Sequence, residues 1–237
     1  MVYVTRHGQP DFRPPGAEPS PDYSPVDPGL STLGRTQAAL LGRRLKKMRF
    51  LGDIYSSPFR RTIETADLIA AEIPGVTFRP EPAIREIVVV PERLRAFTGM
   101  TLEQIKSLYP TLAPGATLPH PWWTCEAETG EAVLARVSPF LQKLTETTKR
   151  DVLLVGHGAS AGAAMRYFCS LMPDVPTAFG PNWNCGLSAV SIGPPLESVL
   201  IQDVSHLSPE QITSNRKTKA ERDRESGSTA LGPIPDH

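Results

Sequence analysis

Cysteine is scarce in this chain of 237 residues: Cys125, Cys169 and Cys185 are the only three. Their odd number and the lack of any C-x-x-C spacing speak against a disulfide framework or a cysteine zinc site, and leave reduced, structural thiols. Net charge is missing as well, because 25 Lys+Arg face 25 Asp+Glu. A chain without a general positive field is not built to hold nucleic acid or a membrane surface, so neither is expected as a partner. Long apolar runs are also absent. Nothing approaches the roughly 20 residues that a membrane helix needs, and Val2 to Thr5 runs straight into Arg6 and His7 without a signal-peptide core. The expectation is a soluble cytoplasmic protein that recognises its partner through a local site, with a homodimer left open.

The length fits one large α/β domain followed by a tail better than two separate cores. Proline is in excess, at 25 residues. Pro10, Pro14, Pro15, Pro19, Pro21, Pro25 and Pro28 crowd one segment, where fixed φ and missing donors exclude helix and central strand. Residues 8 to 29 therefore read as one long loop, either a functional lid or plain disorder. From about Ser214 the apolar content falls and Arg216, Lys217, Lys219, Glu221, Arg222, Asp223, Arg224 and Glu225 run together. This divides the chain into a domain over 1–213 and a solvated polar tail over 214–237.

Short apolar runs of strand length occur at Val2–Thr5, Asp53–Ser56, Val76–Arg79, Asp151–Val155, Leu187–Ile192 and Val199–Ile201. Helical spacing is found over Thr32–Met48, with Ser31 as N-cap, and over Arg60–Ile73, Thr101–Leu108, Glu131–Leu144 and Ser160–Leu171. Strands alternating with helices predict an α/β fold with a mainly parallel sheet covered on both faces.

In such a sheet, ligands sit beyond the carboxyl ends of the strands. Two histidines stand there. Arg6-His7-Gly8 follows the first strand and Gly156-His157-Gly158 follows the strand ending at Val155, each histidine beside glycines that permit tight turns and close approach of a ligand. A zinc site would need further ligands, and no H-E-x-x-H or carboxylate cluster accompanies the pair. Arginines do: Arg6 adjoins His7, and Arg60-Arg61 opens the helix after Ser56-Ser57-Pro58. Guanidinium groups bind phosphate oxygens bidentately and a helix N-terminus adds backbone donors, so the chemistry points to phosphate.

These motifs, taken in order, resemble the histidine phosphatase superfamily, the phosphoglycerate mutase-like fold. The resemblance rests on Arg6-His7-Gly8, on Leu30-Ser31-x-x-Gly34-x-x-Gln37-Ala38, on Ser56-Ser57-Pro58-Phe59-Arg60-Arg61-Thr62-x-x-Thr65-Ala66, on Glu86 after Ile84-Arg85, and on Gly156-His157-Gly158. It covers residues 2 to about 205 and implies a three-layer α/β/α sandwich. It also implies a metal-independent phosphomonoesterase that needs no cofactor and acts on a small phosphorylated substrate. His7 matches the nucleophile that becomes phosphohistidine. Arg6 and Arg61 match the arginines that hold the phosphoryl oxygens, with Arg60 as the competing second arginine. His157 matches the second histidine, expected protonated, and Glu86 the proton donor.

The chain departs from the family pattern in two places. Gln9-Pro10-Asp11-Phe12 replaces the usual Ser or Thr and later Asn, and Ile87-Val88-Val89-Val90-Pro91 replaces G-x-W-E-G. Several assignments stay open on sequence alone. Glu131 caps a helix or joins the chemistry; His120, Trp122 and Trp123 form a pocket wall or pack the core; Asn182 to Gly186 brings a polar contact to the site or does not. A phosphoglycerate mutase and a non-catalytic binding module that keeps the fold are the competing functions.

Overall fold

The computed structural model describes residues 1–13, 24–95, 97–172, 182–192, 197–214 and 217–218. Its sheet has six strands in the order β3-β2-β4-β1-β5-β6, formed by β1 (Val2–Arg6), β2 (Asp53–Ser56), β3 (Phe78–Pro80), β4 (Val152–Gly156), β5 (Leu187–Ser191) and β6 (Glu197–Asp203). The four strands β3, β2, β4 and β1 pair in parallel, while β5 and β6 add antiparallel. The mainly parallel sheet expected from the strand-helix alternation is thus present, and its antiparallel strands lie on one side.

Side-chain alternation along the strands builds two cores. Tyr3, Leu153 and Val155 face α1 (Thr32–Lys47) and α2 (Arg60–Ala71), where Leu41, Leu45, Ile63 and Ile69 are fully buried. Val2, Val4, Val152 and Leu154 face the opposite way, onto α4 (Gly130–Thr147) and α5 (Gly158–Ser170), against Val137, Leu141 and Phe168. Strands buried on both faces read as unbroken apolar runs, which is the pattern of Val152–Val155. A short α3 (Leu102–Leu108) adds Ile105 to the first core and carries a capping box between Thr101 and Gln104.

Element positions follow the periodicity with small shifts. The expected strand at Val76 begins at Phe78 instead, since Val76 N donates to Ile73 O and the chain spends Ile73 to Val76 on a turn through Gly75 at φ 79°. α4 is longer than its periodic stretch and contains Pro139. The 213/214 boundary falls inside a two-stranded ladder of β7 (Thr213–Ser214) with β8 (Lys217–Thr218). Both β7 residues are buried. Small hydroxyl residues can be enclosed by backbone pairing, a property that apolar content does not register. Of the proline-rich segment, residues 14–23 lie outside the described residues, as does the chain from 219 onward. No helix among the described residues is long and apolar enough to cross a membrane.

Candidate active site

The parallel register decides where the two histidines meet. Arg6 is opposite Gly156 in the β1–β4 ladder, so the next residue on each strand, His7 and His157, emerges at the same sheet edge. Their rings lie 5.3 Å apart, centroid to centroid. Both are buried.

The loop after β1 is tied down from several sides. His7 N donates to Gly156 O at 3.0 Å, Gly8 N to Thr65 Oγ1 at 3.0 Å and Gln9 N to the buried Gln37 Oε1 at 2.8 Å. Gly8 and Gly34 are glycines because this loop and the first turn of α1 touch: a Cβ on Gly8 would fall 2.5 Å from Gly34 O, and one on Gly34 would fall 2.1 Å from Gln9 O. The closeness expected between a ligand and these glycines is therefore, at Gly8, an approach of the chain to itself. Ser31 caps α1 by accepting from Gly34 N at 3.0 Å. The Leu30–Ala38 motif serves to hold the histidine loop against α1.

His7 Nδ1 lies 2.7 Å from Gly8 O. A carbonyl only accepts, so Nδ1 carries the proton and Nε2 keeps its lone pair. Arg61 Nε donates to that Nε2 at 3.3 Å. Burial first, and then the charges of Arg6 and Arg61, hold the His7 pKa well below its ordinary value, which keeps the imidazole neutral. A buried, neutral imidazole whose deprotonated nitrogen is held in a fixed direction has the chemistry that a nucleophile needs.

Arg61 is the hub. Its Nη2 lies 3.1 Å from His157 Nδ1 and 3.5 Å from Glu86 Oε2, its Nη1 lies 3.6 Å from Asp27 Oδ1, and its guanidinium carbon sits 4.9 Å above the Phe59 ring. Arg60 turns the other way, toward Glu64 at 3.5 Å, so of the two competing arginines Arg61 enters the site. Arg6 Nη1 donates to Asn182 O at 2.9 Å and to Ser214 Oγ at 3.2 Å. Asn184, fully buried, donates from Nδ2 to His7 O at 2.9 Å. The Asn182 to Gly186 segment thus does bring polar contacts to the site, through the backbone of His7 and the side chain of Arg6.

His157 is expected protonated where it meets the phosphoryl charge of the transition state. Without that charge, burial, followed by the charges of Arg61, His7 and Arg6, holds its pKa well below the ordinary value and favours the neutral ring. With Arg61 donating to Nδ1, the ring proton belongs on Nε2, which lies 2.7 Å from Ser57 Oγ. Glu86 Oε2 stands 3.4 Å from the same Nδ1, and Glu86 Oε1 accepts from Ile87 N at 3.0 Å.

Atoms of His7, Glu86 and His157 able to bind a metal lie within 4.8 Å of one another. The charges around them favour an anion. Arg61 lies against a nitrogen of each histidine and Arg6 adds a second positive charge beside them, so a cation here would meet two like charges and an anion two opposite ones.

Three residues of this neighbourhood escaped sequence reasoning. Asp27 lies within the proline-rich segment, accepts from Arg60 N at 2.8 Å at the start of α2, and is buried. Burial raises its pKa to about 6 against the opposing pull of Arg61. Glu128 and Arg136 clamp the chain around Glu86: Arg136 donates to both Glu128 oxygens at 2.8 and 3.1 Å and from Nη1 to Ala83 O, while Glu128 Oε2 accepts from Val88 N at 3.3 Å. Arg85 completes the clamp at 2.9 Å from Glu128. Only the i, i+8 spacing of Glu128 and Arg136 was visible in sequence, and it carries no signal for a strand-end loop.

Glu128→Gln is expected to destabilise the fold by about 3 kcal/mol, because two largely buried guanidinium groups lose their shared counter-charge. If the clamp also positions Glu86, turnover of alkyl phosphates falls more than that of aryl phosphates. A melting curve and the two rate measurements on one preparation check both.

Other assignments resolve plainly. Glu131 pairs with Arg166 at 3.0 Å on the surface, in the first turn of α4. Trp122 packs in a buried cluster with Phe59 and Phe97 and donates from Nε1 to Met100 O, so it supports the wall from behind. Trp123 stacks edge-on against Phe97 and His120. The three cysteines are free.

The sequence signature of the histidine phosphatase superfamily, branch 1, matches residues 2–199. No curated protein sequence matches the chain. Among solved structures, the ecdysone phosphate phosphatase of Bombix mori in complex with tungstate is similar at a TM-score of 0.68 and 20% identity, over 91% of this chain and 96% of that one. A mycobacterial glucosyl-3-phosphoglycerate phosphatase complexed with VO3 is similar at a TM-score of 0.55 and 26% identity, over 85% of this chain and 98% of that one. The match over most of the chain agrees with the phosphate-binding logic of the strand ends, and this protein belongs to the histidine phosphatase superfamily, branch 1.

Proposed function

We propose that the protein is a metal-independent phosphomonoesterase that hydrolyses a small phosphorylated metabolite through a phosphohistidine. The observation that carries this is Arg61 bridging His7 Nε2 and His157 Nδ1, with Glu86 beside the same guanidinium. The naming of the mycobacterial relative as a phosphatase supports it.

In the first step His7 Nε2 attacks phosphorus, a P–N bond forms, and the P–O bond to the alcohol breaks. Protonated Glu86 gives its proton to the departing oxygen. In the second step water attacks the phosphohistidine, Glu86 takes the proton from that water, the P–N bond breaks and phosphate leaves. Each displacement spreads charge over three equatorial oxygens, which Arg6 and Arg61 stabilise as preorganised donors. The dianion reverses the local electrostatics at His157. Its charge raises the depressed pKa, so His157 gains a proton on Nδ1 and becomes a third donor.

Turnover is expected to survive exhaustive chelation. The test is p-nitrophenyl phosphate hydrolysis before and after EDTA treatment, with an acid quench to trap phosphoenzyme. Loss of activity restored by a stoichiometric divalent ion would convert the histidines into metal ligands and reject the mechanism.

A further inference from the structure

We propose that the cleft opening from Arg61 and Glu86 takes an apolar alcohol, so that the substrate is the phosphomonoester of an aromatic or branched hydrocarbon group and not of a sugar or glycerate. This rests on the phosphatase reading above and names the substrate class of the same site.

The cleft has a volume of about 240 Å³ and begins at the two catalytic side chains. Phe12, Val26, Ile87, Val88, Val89 and Val90 line it, with Phe59 beside Arg61. Among the described residues that line it, Arg93 is the only charged side chain besides Arg61 and Glu86, and none carries a neutral hydroxyl or amide group. Part of the backbone of the valine run is already engaged. Ile87 N is taken by Glu86 Oε1, Val88 N by Glu128 Oε2, Val88 O by Glu128 N and Val90 O by Arg93 N. A sugar placed against the valine run would set hydroxyl groups on apolar side chains with few partners beyond Arg93, which a binding site penalises.

The same wall is too apolar for water alone. Val89 is 71% exposed, Val90 43% and Phe12 37%, and all three border this one cleft. A contiguous exposed apolar patch beside a reactive centre marks a ligand surface. Phosphate held by the arginines and a hydrocarbon group held by the valine run would sit on either side of the scissile bond, with Glu86 between them at the bridging oxygen.

Non-hydrolysable phosphonates separate this proposal from the catalytic reading. Calorimetric titration of the full chain with methylphosphonate, 2,3-dihydroxypropylphosphonate and benzylphosphonate is expected to show benzylphosphonate bound at least about tenfold tighter than the dihydroxypropyl compound, the gain from burying roughly two methylene equivalents. The double substitution Val89→Ser with Val90→Ser, at exposed positions outside the catalytic cluster, is expected to reduce that preference to less than about threefold. Methylphosphonate affinity should stay unchanged. Equal or tighter binding of the dihydroxypropyl compound overturns the substrate class and leaves the phosphatase reading intact. Failure of all three phosphonates and of inorganic phosphate to bind overturns both. In turnover, the same preference is expected as a lower KM for benzyl phosphate than for glycerol 1-phosphate.

Discussion

His7→Ala is expected to lower turnover by at least about 10⁴-fold, because removing a covalent nucleophile leaves only binding and oxyanion stabilisation. The fold should persist. The backbone of the loop is held by Gly156 O, by Asn184 Nδ2 and by Thr65 Oγ1, none of which involves the imidazole. Matching far-UV spectra and a melting temperature close to the wild type, beside the lost activity, would establish this. Wild-type enzyme quenched in acid with labelled substrate should show an acid-labile, base-stable phosphoenzyme that the variant lacks. Near-normal turnover by His7→Ala would sink the phosphohistidine route.

The same residue sets a pH dependence. His7 has a folded pKa lowered from 6.5, so its neutral form, the nucleophile, persists below that value and the acid limb of kcat/KM for this group lies below pH 6.5. For stability, a lowered histidine pKa means that the unfolded chain binds more protons. The contribution of His7 and His157 is therefore present above pH 6.5 and is lost as the pH falls through their folded values. Asp27 has the opposite sign. Its pKa is raised from 3.8 to about 6, so its contribution is present below pH 3.8 and lost as the pH rises through about 6.

Glu86→Gln is expected to slow hydrolysis of alkyl phosphates by about 10² to 10³-fold while slowing p-nitrophenyl phosphate by less than about tenfold. An alkoxide needs a proton to leave, whereas nitrophenolate does not. Glutamine preserves the size of the side chain next to Arg61 and His157 but cannot transfer the proton. Arg61→Ala should impair both substrates alike, by roughly 10² to 10³-fold, because it acts on the phosphoryl oxygens that both share. Equal losses for alkyl and aryl substrates in Glu86→Gln would remove Glu86 from proton transfer. Asp27, buried and 3.6 Å from Arg61, would then be the acid to substitute next. Glu131 is too far committed to the surface, paired with Arg166.

Much of the candidate site was legible in the chain itself. Strand-length apolar runs ending in Arg6-His7-Gly8 and Gly156-His157-Gly158 placed both histidines at the carboxyl ends of parallel strands, because a buried strand must be apolar and its first polar residue marks where it leaves the sheet. The short S-P-F-R-R stretch placed arginines at a helix start for the same reason. Local patterns of this kind act over a few residues, and a sequence displays them directly. The resemblance also favoured Arg61 over Arg60 by its spacing from Ser57, and the structure supplies the physical reason: of the two adjacent side chains Arg61 faces the histidines while Arg60 turns to Glu64.

What the tertiary structure alone decided was contact between segments distant in the chain. Asp27 reaches Arg61 out of a proline-rich loop, Ser214 reaches Arg6 from beyond the expected end of the domain, and Glu128 with Arg136 holds the chain around Glu86. The lowered pKa of His157 arises there too, since desolvation and the fields of Arg61 and Arg6 are sums over neighbours that no local window contains. Sequence determined the strands, the helices and the residues able to act on phosphate, because periodicity and residue chemistry are carried by consecutive positions. Packing determined which of those residues meet and how they are charged, because burial and electrostatics depend on the whole fold.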